Sequence, residues 1–251
     1  MTLDDHLAAP DQHLDPEIAA RYDVAAGAAF SDEEVASAVD RLAALADGGA
    51  AVEFAIGTGR IAIPLAARGV EVNGMDISAP MLAELRRKPG AEAIDAVVGD
   101  MTDTQVRDDA ALVYLVYNTI GNLRTQERQV ACFANAAAHL RPGGRFVIEV
   151  GVPELHLLVP GESIRPIAVR PDYVGFDEYV DRVGQILVSH HYRIAGDHVR
   201  TVSGTFRYVW PSELDLMARL AGLTLEHRWA DWHRNEFTAD SPRHISVWRT
   251  P

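Results

Sequence analysis

The chain has 251 residues, 48% apolar and 24% charged, and its 23 Lys plus Arg against 36 Asp plus Glu give a formal net charge of −13 with neutral histidine. That length allows one substantial core, or one core with a large insertion. The acidic balance argues against nucleic acid, because affinity for a polyanion rests on phosphate neutralisation, and no apolar run approaches membrane-spanning length. The single Cys132 cannot form an internal disulfide and fits a cytoplasmic setting. In its helical pattern it reads as a small buried apolar residue rather than a nucleophile. The acidic opening, MTLDDHLAAPDQHLDPE, lacks the basic region and apolar core of a secretion signal and reads as a loose arm. Residues 1–45 are expected to form this arm and a cap helix. Ser31 and Glu34 make a capping box, and Val35, Val39, Leu42 and Ala46 space one apolar face up to Gly48-Gly49.

The next stretch, AVEFAIGTGR at Ala51–Arg60, dominates the pattern. A buried strand (Val52, Phe54, Ile56) runs into Gly57-Thr58-Gly59, and an amphipathic segment follows to Ala67. Strand, glycine turn and helix N-terminus in this order build the ligand crevice at the carboxyl edge of a parallel sheet. The glycines allow a tight reversal and let a ligand approach bare backbone. Glu53 sits in an otherwise apolar strand end, where an idle carboxylate would be costly to bury. A second strand ends in Asp76, nineteen positions after Gly57, suitably placed for both hydroxyls of a ribose. Asp76 as a helix cap is the competing reading, although Ser78 is better placed for that. Ile94–Val98 is expected as a third strand ending at Gly99-Asp100-Met101. Ala110–Tyr117 is a fourth, apolar throughout and so buried on both faces. It delivers Tyr117 and Asn118 to the crevice, where Asn118 can equally serve a turn. Thr125 can cap the next helix, which stops at Leu140-Arg141-Pro142-Gly143-Gly144 before a fifth strand through Val150.

Residues 152–210 depart from this alternation. Prolines punctuate the first part; Phe176–Val183, Gln185–Tyr192 and Val199–Val209 then read as strands, the last two joined at Ala195-Gly196-Asp197. The segment is expected to be a small antiparallel lid over the carboxyl edge, removing water and setting substrate choice. Ser212 and Asp215 suggest a capping box for a helix ending at Gly222, and Leu223–Trp229 and His244–Trp248 suggest two final strands. The expected fold is α/β, a doubly wound Rossmann-like sheet of seven strands in 46–151 and 211–251, with an inserted antiparallel β subdomain at 152–210.

Glu53-Phe54-Ala55-Ile56-Gly57-Thr58-Gly59, with Asp76 and the L-x-P-G-G turn, resembles the class I S-adenosylmethionine-dependent methyltransferases over residues 45–150 and 212–250. The resemblance implies S-adenosylmethionine as cofactor and a small-molecule methyl acceptor. It implies cofactor contacts from Glu53, Gly57, Gly59, Asp76, Ile77 and Met81, although a core role for Met81 is as reasonable. It places Asp100 and Met101 on the adenine amine and ring nitrogen, Tyr22 over the methionine end, and Asn118 near the transferring methyl. More loosely, the insertion resembles the lids of small-molecule N-methyltransferases, which leaves N and O acceptors open.

In-line alignment at near-contact distance is the main task of such a site, and a base is needed only for a protonated acceptor. His190 and His191 are the catalytic candidates for that step, with Tyr117 and Asn118 orienting acceptor or donor. Adjacent strand residues face opposite sides, so one histidine at most enters the pocket. His191 is the preferred one, and both as packing residues is the alternative. Arg193 and Arg207 could meet a substrate carboxylate. No metal site is expected, since no CxxC, HExxH or spaced carboxylate cluster occurs. The rival enzyme is an NAD-dependent oxidoreductase, because Gly57, Gly59 and Ala62 also satisfy the dinucleotide spacing; the non-catalytic rival is an S-adenosylmethionine-binding protein. A homodimer through an exposed lid strand is possible on edge-strand grounds.

Overall fold

The computed structural model describes residues 2–8, 14–27 and 31–251; the remaining parts of the expected N-terminal arm, at 1, 9–13 and 28–30, lie outside the described residues. Two helices, α1 (Leu3–Ala8) and α2 (Pro16–Gly27), precede α3 (Asp32–Ala46). Ser31 caps α3 with both bonds of the capping box: its Oγ accepts from Glu34 N–H, and Glu34 Oε2 accepts from Ser31 N–H.

The main sheet has seven strands: β1 (Ala51–Phe54), β2 (Val72–Asp76), β3 (Ile94–Val98), β4 (Ala110–Leu115), β5 (Leu140–Gly151), and later β10 (Thr224–Trp229) and β11 (Arg243–Arg249). Their spatial order is β10-β11-β5-β4-β1-β2-β3. The five from β5 to β3 run parallel, whereas β11 lies antiparallel to β5 and β10 antiparallel to β11. The order reverses between β1 and β4, and a crevice opens there at the carboxyl ends. Period-two alternation sorts the strands between two cores. Val52, Phe54, Val113 and Phe146 pack on Phe133 and Cys132 of α6 (Gln126–His139) and Leu214 of α7 (Pro211–Leu220). Leu112, Tyr114 and Val147 face the other way, onto Leu42 of α3, Leu65 of α4 (Ala62–Ala66) and Leu82 of α5 (Ala79–Arg86). Every residue of β4 is buried, as its unbroken apolar run requires.

Between β5 and α7 stands a separate four-stranded antiparallel meander: β6 (Ile164–Arg170), β7 (Tyr173–Asp181), β8 (Ile186–Ala195) and β9 (His198–Arg207). Strand β6 is not among the expected strands, because Pro166 interrupts its pattern. Proline is tolerated since β6 is an edge strand that pairs with β7 alone. A two-residue turn with Gly196 at φ 59° joins β8 and β9. Arg207, at the end of β9, ties this sheet to the main one: its guanidinium bonds Glu213 of α7 at 2.6 Å, Gln185 at 2.9 Å, and Gln129 of α6. That turns the expected substrate partner mainly into a structural tie, because its buried guanidinium is paired with Glu213, although Arg207 also lines the cavity described below. The expected Ser212–Asp215 box is also absent. Pro211 takes the first helical position, which moves the cap to Trp210 and frees Asp215 to bind Arg228 and Trp248 Nε1.

The glycine turn shows two different constraints. Gly57 adopts φ 58°, and a Cβ there would meet nothing nearer than the Ala55 carbonyl at 4.0 Å. Gly59 adopts φ 77°, and its Cβ would lie 3.1 Å from Leu85 and 3.2 Å from Ile63. Gly59 is therefore fixed by packing under α5. Gly59→Ala should lower the urea midpoint by the equivalent of about 1–3 kcal/mol, measured by equilibrium unfolding, from added strain and overpacking.

Candidate functional site

A cavity of about 600 Å³ lies between the carboxyl edge of the main sheet and the inner face of the inserted sheet. That is ample for a small ligand and within the usual range of about 300–1,000 Å³. Gly57 forms part of its wall, and the open space over its α-carbon is the cradle that any side chain would fill. Asp76, buried at the end of β2, grips this corner from beneath: Oδ2 accepts from Gly57 N–H at 2.8 Å and Oδ1 from Ser78 N–H at 2.7 Å. Asp76 itself lines the cavity. Ser78, as expected, caps α5 through Met81 N–H.

Ile77, Met81, Asp100 and Met101 also line this side. Ile77 is exposed, while Met81 and Met101 are buried with an edge on the cavity, which reconciles the core and ligand readings of Met81. Asp100 is held by Thr102, whose N–H and hydroxyl both donate to Oδ1, and by Arg128 Nη2 at 2.6 Å from Oδ2. Partial burial alone would raise its carboxyl pKa; the Thr102 bonds and the Arg128 charge outweigh it and hold the group below the usual range.

Glu53 differs from the expectation. It does not line the cavity but sits fully buried in the wall behind it, accepting the Tyr114 hydroxyl at 2.9 Å. Strand alternation is the reason: Glu53 lies one residue before the end of β1 and points with Tyr114 into the α4 side of the sheet. Burial pushes its carboxyl up to about 8, against the opposing pull of the Tyr114 bond and the Arg60 charge. Gly59 likewise lies off the cavity wall. The expected convergence of three carboxylates is thus a convergence of two, Asp76 and Asp100, with Glu53 bracing the corner.

Tyr22 reaches the cavity from α2. The Arg60 guanidinium lies 5.3 Å from its ring and 4.6 Å from that of Tyr117, bridging the arm helix and the end of β4. Asp23, one residue on, accepts the Thr58 hydroxyl at 2.6 Å and pairs with Lys88 of the α5 end at 2.5 Å. Tyr117 and Asn118 both adopt left-handed backbone, φ 58° and 61°. Each such residue costs of order 1–3 kcal/mol, and two groups hold the pair. Buried Glu149 accepts from Tyr117 N–H at 3.3 Å and from Trp232 Nε1 at 3.1 Å, and Asn118 Oδ1 accepts from Gly151 N–H at 2.6 Å. Asn118 therefore serves a turn and faces the cavity at once. The sequence places Glu149 at the crevice but offers no sign that it clamps the turn.

The inserted sheet separates the two histidines. His191 faces the cavity, with Tyr173 OH 2.7 Å from Nδ1 and Ser189 Oγ 3.2 Å from Nε2. Burial holds its pKa below the ordinary histidine value, against the raising influence of Asp177, so the ring is neutral at pH 7. His190 is on the opposite face, beside Ser203 Oγ at 2.9 Å and Glu178 Oε2 at 3.3 Å, which removes it from the cavity. Asp177, Tyr179 and Arg165 join His191 on the inner face. Their grouping is not visible in the sequence, because it depends on cross-strand register. Among the described residues no cluster of three His, Cys, Asp or Glu could hold a metal ion, and no helix is long and apolar enough to cross a membrane.

A family model described as a methyltransferase domain matches residues 51–144. The CcbJ methyltransferase from Streptomyces caelestis is 34% identical in sequence and superposes with a TM-score of 0.85, covering 96% of this chain and 98% of that one. The cypemycin N-terminal methyltransferase of a Streptomyces species is 27% identical over 203 residues, 80% of this chain and 83% of its own length. The S-adenosylmethionine-bound CalS10, an amino pentose methyltransferase from Micromonospora echinaspora, is 22% identical and shares the fold at a TM-score of 0.70, over 92% of this chain and 96% of its own.

The wall carboxylate gives a pH test. Folded Glu53 keeps its proton up to about pH 8, against 4.5 for the ordinary group. Its contribution to stability is therefore full below 4.5 and is lost as pH rises through about 8. Glu53→Gln, which cannot ionise but still accepts from Tyr114, should remove that loss. In urea unfolding between about pH 5 and about pH 9, wild type should weaken relative to the variant by a few kcal/mol.

Proposed function

The chain belongs to the class I S-adenosylmethionine-dependent methyltransferases, enzymes of small-molecule methyl transfer, and from that premise we propose that its acceptor is the basic amine of a small molecule. The observation that carries this reading is the division of the cavity. One side is the glycine corner with Asp76 and Asp100; the other is a polar lid face with a carboxylate, a neutral histidine and an arginine already paired to Glu154. The names of two relatives point the same way, one an N-terminal methyltransferase and one an amino pentose methyltransferase.

The donor side fits its group. Asp76 lines the cavity where ribose hydroxyls would lie, Gly57 offers bare backbone, and Ile77 and Met81 supply apolar contact for a purine. Asp100, kept ionised by Arg128 and Thr102, would accept the exocyclic amine, and the Met101 N–H would address a ring nitrogen. Tyr22 and Asn118 would enclose the methionine end. The bound cofactor supplies a methyl group on a cationic sulfur that is already a good leaving group. What remains for the chain is to orient the acceptor, exclude water and free a nitrogen lone pair. Segment 152–210 does the excluding, and Tyr117 is fixed by Glu149 so that its ring borders the acceptor space. The proton shed by an ammonium acceptor leaves on the lid side, where His191 lies.

The wider setting belongs to the same proposal. A buried lone thiol suits the cytoplasm, a net charge of −13 suits no nucleic-acid partner, and the free edge of β6, with Ile164 and Val169 exposed, is the natural seam for a homodimer.

Methyl-labelled S-adenosylmethionine should transfer label to nitrogen when the protein is given a panel of amino sugars and peptide amides. Asp76→Ala should weaken S-adenosylmethionine binding by about 10- to 100-fold, as expected for lost charge-assisted bonds. Retention of NAD in place of S-adenosylmethionine, or label found on oxygen alone, would overturn the amine reading.

A further inference from the structure

We infer that Asp177 is the residue that selects the acceptor: its carboxylate meets the acceptor nitrogen directly, restricts the enzyme to primary and secondary amines, and takes the proton an ammonium must lose. This rests on the amine reading above.

The register of the lid places Asp177 at its centre. Arg165 of β6 stands opposite Asp177 of β7, which stands opposite Ser189 of β8, and Ser189 in turn faces Gly204 of β9. The first three line the cavity. In the next row His191 lies opposite Gly175. A Cβ on Gly175 would come within 2.4 Å of the Tyr173 hydroxyl, so the missing side chain is what lets that phenol lie across the strand and reach His191. Hydrogen bonds then run along the face from Tyr173 through His191 to Ser189. Tyr173 OH lies 2.7 Å from His191 Nδ1 and Ser189 Oγ 3.2 Å from His191 Nε2, and Ser189, opposite Asp177 in register, favours the charged form of that carboxyl. Both nitrogens of His191 are used in building this row. His191 is then a positioning residue acting through Ser189.

Charge bookkeeping isolates the same group. Arg165, the nearest cation by register, is bound to Glu154 at 2.5 Å, and no cation among the described residues lies within ion-pair distance of Asp177. His191 is neutral. The lid face therefore presents to the cavity one carboxylate without an ion-pair partner among the described residues, and its burial outweighs the opposing pull of Ser189, His191 and Arg165 and makes it a stronger base than a surface carboxylate. A desolvated carboxylate of this kind is relieved by a cation and left unpaired by a neutral isostere.

The proton balance is simple. An ammonium N–H bond breaks, its electron pair stays on nitrogen as the lone pair, and the proton forms an O–H bond on Asp177. A second N–H remains on a primary or secondary amine to hold the carboxyl group. Once nitrogen has accepted the methyl it is cationic again, and Asp177 returns its proton to water as product leaves. An alcohol, an ether or a tertiary amine cannot satisfy both demands.

The test uses full-length protein saturated with S-adenosylhomocysteine and two isosteric pairs, glucosamine against glucose and alaninamide against lactamide, titrated by calorimetry at neutral pH. Wild type should bind each amine at least about tenfold more tightly than its hydroxyl partner, since a site built for a polar group rejects the analogue lacking it. Asp177→Asn should bring that ratio close to one with S-adenosylhomocysteine affinity unchanged, and Asp177→Glu should keep the preference. If Asp177→Asn retains it, the assignment of Asp177 falls while the amine reading stands. If wild type itself prefers the hydroxyl partners, both fall together.

Discussion

The carboxylate of Asp76 is the contact on which this site depends. By accepting Gly57 N–H it fastens the end of β2 to the turn that leaves β1, and by accepting Ser78 N–H it sets the start of α5. Two parallel strands and two helix entries are thereby locked into one corner, at the place where the strand order reverses. The left-handed backbone at Gly57 keeps the space above that corner open. Glu53 supports it from behind, since its bond to Tyr114 links β1 to β4 across the switch point. Burying a carboxyl group there costs energy unless it is protonated or well bonded, and the raised pKa is how the fold meets that condition.

The lid obeys a different logic. Its attachment is polar and buried: the Arg207 guanidinium donates to side-chain oxygens of Glu213, Gln185 and Gln129, so the end of β9 is fixed against both α6 and α7. Its inner face is a row of polar side chains fixed by register, and its outer face holds His190 with Glu178 and Ser203. The arm helix adds a third wall, joined to the glycine turn by Asp23, Thr58 and Lys88 and to the end of β4 by Arg60 between two tyrosine rings.

Much of this is legible from the chain alone, for identifiable reasons. Gly57, Asp76 and Asp100 are readable because a strand end carrying a glycine or an acid can be located from local periodicity, and parallel strands bring their ends to one edge. Glu53 and Gly59 are misread on the same basis. Both belong to the motif by spacing, but one side chain turns into the sheet interior and the other position is constrained by Leu85. The edge strand β6 escapes because Pro166 breaks its pattern, and whether a strand is an edge strand depends on what pairs with it.

Sequence by itself determined the α/β order, the glycine corner, the acids at successive strand ends and the presence of an antiparallel insertion. These follow from hydrophobic period, glycine placement and turn chemistry, which are local. Only the tertiary structure decided that His191 faces the cavity and His190 does not, that Glu149 clamps the Tyr117–Asn118 turn, and that Asp177 stands beside Ser189 with Arg165 already taken. Those facts are relations between residues distant in the chain, set by strand register and by competition among partners. No window of sequence contains them.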